Sequence, residues 1–454
     1  MKQVFTQNPK SAPMTPTQLL GISLLLMLQF ACIHNSEFSN ISPVDKKGYL
    51  EEFSAYCNHE FSAEIMAVRA SFFGDHENTL KYAVQDARDN SSDIAVIDGD
   101  YEAMKLRVEK ALTDSTVSED AKARMREFLA LIEYQTDRPD YFKRVQPHNA
   151  TDFIVSRADH FQFTLINEAH YSSQNRAFTR TLLQPLWDKG YRYLALETLS
   201  YDDPDINDRG YAERNSGFYT ADPVFAEMVA EALKIGYKLV TYETRSQSIA
   251  DGTERDFDQA MNIFNQTIKI DSNAKVLIHA GYGHILEVGD DGYQPMGAQL
   301  KRLLNKDVLT IDQERMVYLP DSTKMNALYM EAHKNFSITE PSVFLDGKNK
   351  PFVEPFVQES IDIQVFHPKT EFKFNRPTWL KSDESNYYLI PDDYLEYEGS
   401  LIQAIDMDRS ESAIPNDQTI IKKNTALVLP PGKYKIHIVD RNGNLIGRAT
   451  LEAN

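Results

Sequence analysis

The chain has 454 residues, enough for two or three domains of about 100–200 residues each. Hydrophobic residues make up 42% of it, which allows a sizeable core and excludes a broadly disordered chain. A net charge of −19, with no Lys/Arg-rich run to reverse it locally, repels phosphate backbones, so no nucleic-acid partner is expected.

Residues 1–32 read as an export signal. Lys2 and Lys10 precede an apolar run from Leu19 to Ala31, shorter than the roughly 20 residues that span a bilayer. Ala31-Cys32 resembles a bacterial lipoprotein cleavage site, although Gln29 stands where such sites usually carry Leu. The expectation is an exported cell-envelope lipoprotein, held on the periplasmic side or at the cell surface through lipid on Cys32. A plain signal peptide or signal anchor is the alternative. With Cys32 lipidated, Cys57 has no disulfide partner; a bridge between them requires an unprocessed Cys32. Two cysteines exclude a cysteine-held structural zinc.

Residues 33–150 predict a helical region. "SAEIMAVRASFF", "HENTLKYAVQDARD", "YEAMKLRVEKAL" and "SEDAKARMREFLALIEY" space apolar residues by three and four. No catalytic constellation appears there. Residues 151–350 predict an α/β domain. "HFQFTLI", "YRYLALE", "YKLVTYE", "AKVLIHA" and "DVLTID" read as strands. Helices alternate with them: "SSQNRAFTRTLLQPLWDKG"; "DPVFAEMVAEALKIG", with Asp222 as N-cap and Gly236 as stop; "TERDFDQAMNIFNQTI"; and "PMGAQLKRLL". In the third helix Phe257, Ala260, Met261, Phe264 and Ile268 share a face, and Thr253 and Asp256 have capping-box spacing. This alternation predicts a central parallel sheet with helices on both faces. Residues 355–454, including "IDIQVFHP", predict a small all-β, sandwich-like domain, and "RNGN" predicts a tight hairpin turn.

Ligands of open parallel sheets bind beyond the carboxyl ends of the strands. Those ends carry Glu168 and His170 on the first strand, Glu197 on the second, Glu243 and Arg245 on the third, and His279 and His284 on the fourth. Imidazoles and carboxylates without cysteine suit a divalent metal or metal-free general base catalysis. Gly281 and Gly283 predict a sharp turn with close backbone approach to a ligand. The polar loop from Ser200 to Asp222 reads as a lid, with Tyr201, Tyr211, Arg214 and Tyr219 as substrate-facing candidates.

Residues 160–312 resemble the superfamily of erythromycin esterase, the haem-binding lipoprotein ChaN and the Tiki/TraB proteins. "INEAHYSSQNRAF" resembles its first motif, with Asn167 in place of a glycine. "ALET" is similar to the glutamate ending its second strand, "ERDFDQAMNIFN" to its arginine-bearing helix start, and "VLIHAGYGHIL" to its second Gly-x-x-His. The resemblance implies functional roles for Glu168, His170, Glu197, Arg255 and His284, with His279 matching loosely. It implies a hydrolase of small-molecule or peptide substrates that activates water with His and Glu, with Arg255 stabilising developing negative charge. Mn, Co or Zn held by His170, Glu197 and His284 is one form of that expectation. A haem- or iron-ligand-binding lipoprotein without catalysis, with a loop Tyr or His as axial ligand, is the other.

Overall fold

The computed structural model describes residues 36–89, 101–119, 121–122, 125–126, 129, 141–245, 252–289, 292–354 and 357–454. The export signal, Cys32 and most of the "SEDAKARMREFLALIEY" helix lie outside the described residues. No described helix is long and apolar enough to cross a membrane. Cys57 is a free, half-buried thiol.

A six-stranded parallel sheet organises the middle of the chain. Its strands are β1 (Phe163–Glu168), β2 (Tyr191–Leu196), β3 (Lys238–Thr241), β4 (Lys275–Gly281), β5 (Leu309–Asp312) and β6 (Ile363–Gln364). Connecting helices are α1 (Ser173–Asp188), α2 (Pro223–Ile235), α3 (Gly252–Gln266) and α4 (Met296–Leu304). β1 and β4 are buried along almost their whole length, as strands covered on both faces must be. One core joins the sheet to α1, α2 and the helix Ala150–Ala158 through Phe178, Leu182, Phe225 and Met228. The other joins its opposite face to α3 and α4 through Ala260, Ile263, Met296 and Leu300. Local signals end α2 as expected: the Asp222 side chain accepts from the Val224 N–H, and Gly236 takes a left-handed φ of 117°.

Spatial order is β6-β5-β1-β4-β2-β3. β4 returns to lie between β1 and β2, pairing Glu168 with Gly281 and Leu196 with His279. The carboxyl ends of these three strands therefore stand side by side at the point where the winding reverses, the usual crevice of such sheets. β6 comes from "IDIQVFHP", which was expected in the all-β region. Its two residues instead add a parallel edge strand on β5, a long-range pairing that local pattern does not encode.

Antiparallel strands dominate the C-terminal region. Leu401–Asp406, Asp417–Ile420, Gly432–Val439 and Leu445–Ala453 form one sheet, and Asn386–Leu389 pairs with Ala426–Leu429. Tyr388, Leu427, Ile402, Ile436 and Leu451 share their core. The region expected to be helical also supplies strands: Ser36–Phe38 and Ser42–Lys46 both pair with Leu445–Ala453. The "RNGN" turn has only Gly443 at positive φ, 74°, and Asp440 Oδ1 accepts from the N–H groups of both Asn442 and Asn444. It is a four-residue loop closed by an aspartate rather than a two-residue turn.

Candidate functional site

The site grows from three carboxyl ends. Glu168 closes β1 with 1% of its surface exposed, and every partner it has is polar. Arg176, one helical turn into α1, donates from Nε to Oε2 and from Nη2 to Oε1, both at 2.7 Å. His279 Nε2 lies 2.7 Å from Oε2, and His170 Nδ1 3.2 Å from Oε1. Burial would push the carboxyl upward, but Arg176 and the histidines outweigh it and hold Glu168 well below the ordinary carboxylate range. An ionised Glu168 can only accept, so the Nδ1 side of His170 carries a proton toward it. Tyr219 stacks flat on the His170 ring at 4.1 Å, and Tyr282 meets it edge-on at 4.7 Å.

Gly281 ends β4 in ordinary extended conformation, φ −76°. Its missing side chain, not its backbone freedom, is what the site uses. A Cβ there would lie 2.1 Å from His170 Cε1, 2.5 Å from Nε2 and 3.0 Å from Glu197 Oε2. Its N–H donates to Glu197 Oε2 at 2.5 Å. The left-handed turn expected of the glycines falls on Tyr282, φ 44°, whose carbonyl accepts from Asn167 Nδ2. A Cβ on Gly283 would make only ordinary contact, so Gly283 has no special role. Asn167, where the resembled motif has glycine, also bonds Asp312 and the Gln313 N–H, tying β1 to β5.

Across the crevice Arg255 reaches from α3. Nη2 donates to Glu197 Oε1 at 3.0 Å and Glu243 Oε2 at 2.6 Å, Nε to Glu243 Oε1 at 3.0 Å, and Nη1 faces His284 Nε2 at 3.1 Å. Burial would lift Glu243, yet Arg255 holds it below its ordinary value. His284 Nδ1 lies 2.7 Å from Asp256 Oδ1. Burial disfavours its charge, but Asp256 and Glu197 prevail and its pKa is raised. Neutral His284 accepts from Arg255; protonated, its Nε2 faces Glu197 Oε1 at 3.7 Å. Sequence reasoning read Asp256 as a capping-box acid. It is instead fully buried, accepting from Tyr293 and the Met296 N–H. α3 accordingly turns Asp256 and Gln259 inward and leaves Phe257 43% exposed, contrary to the expected apolar face.

No protein-family model matches the chain. No curated protein matches it either. Two solved structures align with parts of it. "The structure of the type III effector HopBA1" does so at 13% identity and TM-score 0.29, over 40% of this chain and 94% of that one. "Bacterial protein toxins" does so at 16% identity and TM-score 0.25, over 43% and 47%. So slight a likeness carries no chemistry to this chain.

The structure thus brings His170, Glu197, Arg255 and His284 together. Glu168 stands behind them as a positioning group. His279 is a correction: expected to face substrate, it is buried between Glu168 and Thr179, 3.1 Å from the Thr179 hydroxyl. Beside Glu197 and His284 lies the Arg255 guanidinium, a permanent cation about 3 Å from each, so with Arg255 in this position these side chains do not fit a divalent ion. Among the described residues no other group of three metal-ligating side chains gathers. Arg176 was missed because its helix reads as amphipathic; its spacing after Glu168 was the available signal.

The loop expected as a lid is braced. Asp203 and Arg209 pair within it at 2.9 and 2.6 Å, and its residues 212–214 bond to the hairpin loop 407–416. The Tyr201 hydroxyl donates to the Glu243 carbonyl at 2.9 Å, and the Tyr211 hydroxyl accepts from the Ser410 N–H. Tyr219 stacks on His170, so all three tyrosines make contacts within the protein. Tyr201, Arg214, Glu243 and Arg245 line a cleft of about 540 Å³. A larger one, about 690 Å³, lies between α1 and residues 333–341 and 367–379, on the helical face away from this chemistry. The smaller cleft is the relevant one because it shares Glu243 with Arg255.

Proposed function

We propose that the chain is a metal-independent hydrolase of ester or amide bonds, exported and lipid-anchored through Cys32. The observation that carries this reading is His170: one ring nitrogen is held by an ion-paired, buried carboxylate, while the other faces the Gly281 backbone beside Glu197. That is how a general base is built, with proton and orientation fixed on one side and a lone pair free on the other. His170 takes a proton from water as the water oxygen attacks the carbonyl carbon. Arg255 stabilises the negative charge that develops on the carbonyl oxygen. His284, kept charged nearer neutral pH by Asp256 and Glu197, returns a proton to the leaving group. In this reading the C-terminal strands form a sandwich-like module that braces the site loop.

The test is hydrolysis of an ester and peptide panel by the full-length protein, with chelator and with added Mn, Co or Zn. Wild type should act on panel members regardless of chelator, and His170→Ala should lose on the order of 10²–10⁴-fold in kcat. Equal inertness of both proteins removes the hydrolase reading. Activity that appears only with added metal removes its metal-free form. A shifted Soret band at stoichiometric hemin would favour the haem-binding alternative instead.

A further inference from the structure

The cleft beside the catalytic cluster carries two arginines without carboxylate partners. Arg245 lies over the Tyr201 ring at 3.8 Å, and Arg214 over the Tyr49 ring at 4.4 Å. Arg214 also donates from Nη1 to the Tyr49 carbonyl at 3.1 Å. Among the described residues neither guanidinium has an acid within ion-pair distance, although the chain has 67 acidic against 48 basic residues. Several other arginines are paired, Arg176 with Glu168 and Asp222, Arg209 with Asp203, Arg255 with Glu197 and Glu243, and Arg409 with Glu227, whereas Arg192 stacks on Trp187 outside this cleft.

Of the carboxylates lining the same cleft, Glu243 is already neutralised by Arg255. Exposed Asp202 is the other. Counted over the lining, Arg214 and Arg245 offset Asp202 and Glu243, so the wall is neutral in a chain whose net charge is −19. Stacking on an aromatic ring holds a guanidinium plane in place while leaving its N–H edge free, and that edge matches an oxyanion two bonds at a time.

We propose that this cleft binds the anionic end, a carboxylate or phosphate, of the substrate whose ester or amide bond is cut at His170. The inference rests on the hydrolase reading for the identity of the bond cut, but anion binding can be measured without turnover. Arg214 and Arg245 are then specificity residues, and the acidic exterior, which repels anions in general, makes their local effect selective.

Calorimetric titration of full-length His170→Ala with monomethyl succinate, phenyl phosphate and neutral dimethyl succinate tests the binding. The two anions should bind at least tenfold more tightly than the neutral diester, and more weakly as salt rises. Arg245→Gln or Arg214→Gln should each weaken anion binding about tenfold and leave the diester unchanged, whereas Arg245→Lys should recover part of the loss. Preference for only one anion assigns carboxylate or phosphate. Equal affinity for anions and diester, or anion affinity indifferent to both arginine variants, overturns the proposal. In parallel, matched 4-nitrophenyl esters with and without a terminal carboxylate report turnover by wild type. Anion binding without any turnover upholds the cleft and sinks only the hydrolase reading.

Discussion

Replacing Arg176 with Met tests the foundation of the site. Met keeps an apolar stem and removes a guanidinium that is fully buried. Four hydrogen bonds are lost: two to Glu168 at 2.7 Å, one to Asp222 at 2.6 Å and one to the His170 carbonyl at 2.7 Å. Burial already pushes Asp222 above its ordinary value in spite of the pair, so Asp222 can take a proton and shed part of the cost. Glu168 is left as the uncompensated charge, and removing one partner of a buried pair costs about 3–5 kcal/mol. The pH dependence follows from the direction of its shift. In the wild type Glu168 is depressed, so its contribution is complete above the unfolded value of about 4.3 and is lost as pH falls through the folded value. Without Arg176, burial raises the folded value, and the contribution is present at low pH and lost as pH rises. Urea denaturation at pH 7 and near pH 4 should therefore show a gap between the proteins that narrows on acidification. A gap under about 1 kcal/mol at pH 7, the range of an exposed pair, or one that widens in acid, refutes the buried-pair reasoning.

Gly281→Ala has no φ penalty, so its effect should fall on the side chains it displaces: turnover down by about 10²-fold, with folding retained in circular dichroism. Unchanged turnover in an active enzyme would place His170 elsewhere. Asp256→Asn should lower the His284 titration midpoint seen by NMR and move the alkaline limb of the pH–rate profile to lower pH with it, since Asp256 supports the charged imidazole. An unmoved midpoint would contradict that dyad. His367, fully buried and among the described residues without a hydrogen-bond partner on either ring nitrogen, has its pKa pushed down to about 3 by burial. A depressed histidine contributes stability above its unfolded value of about 6.5 and loses it as pH falls toward the folded value. His367→Phe should therefore be neutral or stabilising at pH 7 and flatten acid-induced loss below pH 6.5 in thermal melts; strong destabilisation at pH 7 would reveal an essential polar role.

What was legible in the sequence was what local pattern and one topological rule determine. Alternating strands and helices announced the parallel sheet, and the polar residues just past the strands marked its carboxyl edge. What pattern could not convey was which strand lies between which. β4 enters between β1 and β2, and only that placement sets His170 and Glu197 around Gly281 while turning His279 back toward α1. The same blindness hid Asp256 and Arg176. Each sits where a helix start or an amphipathic face explains it, and each owes its role to partners distant in the chain, such as Tyr293, His284 and Asp222. Ile363–Gln364 and the strands of residues 36–46 were misplaced for the same reason, because short segments take their partners from the assembled sheet rather than from their own period.

The pairing of residues 36–46 with 445–453 gives synthesis an order. The early strands leave the ribosome when their partner has yet to be translated. Closing so long a loop costs little at equilibrium, because the entropy grows only with the logarithm of length, but the contact is slow to find. The parallel sheet ends at Gln364 and can assemble while the rest of the chain is still emerging. Until the last strand docks, the hairpin loop 407–416 has no fixed frame, and the segment that presses Tyr219 onto His170 lacks its brace. A nascent chain can thus hold a formed sheet while the segment that carries Tyr219 is still unbraced.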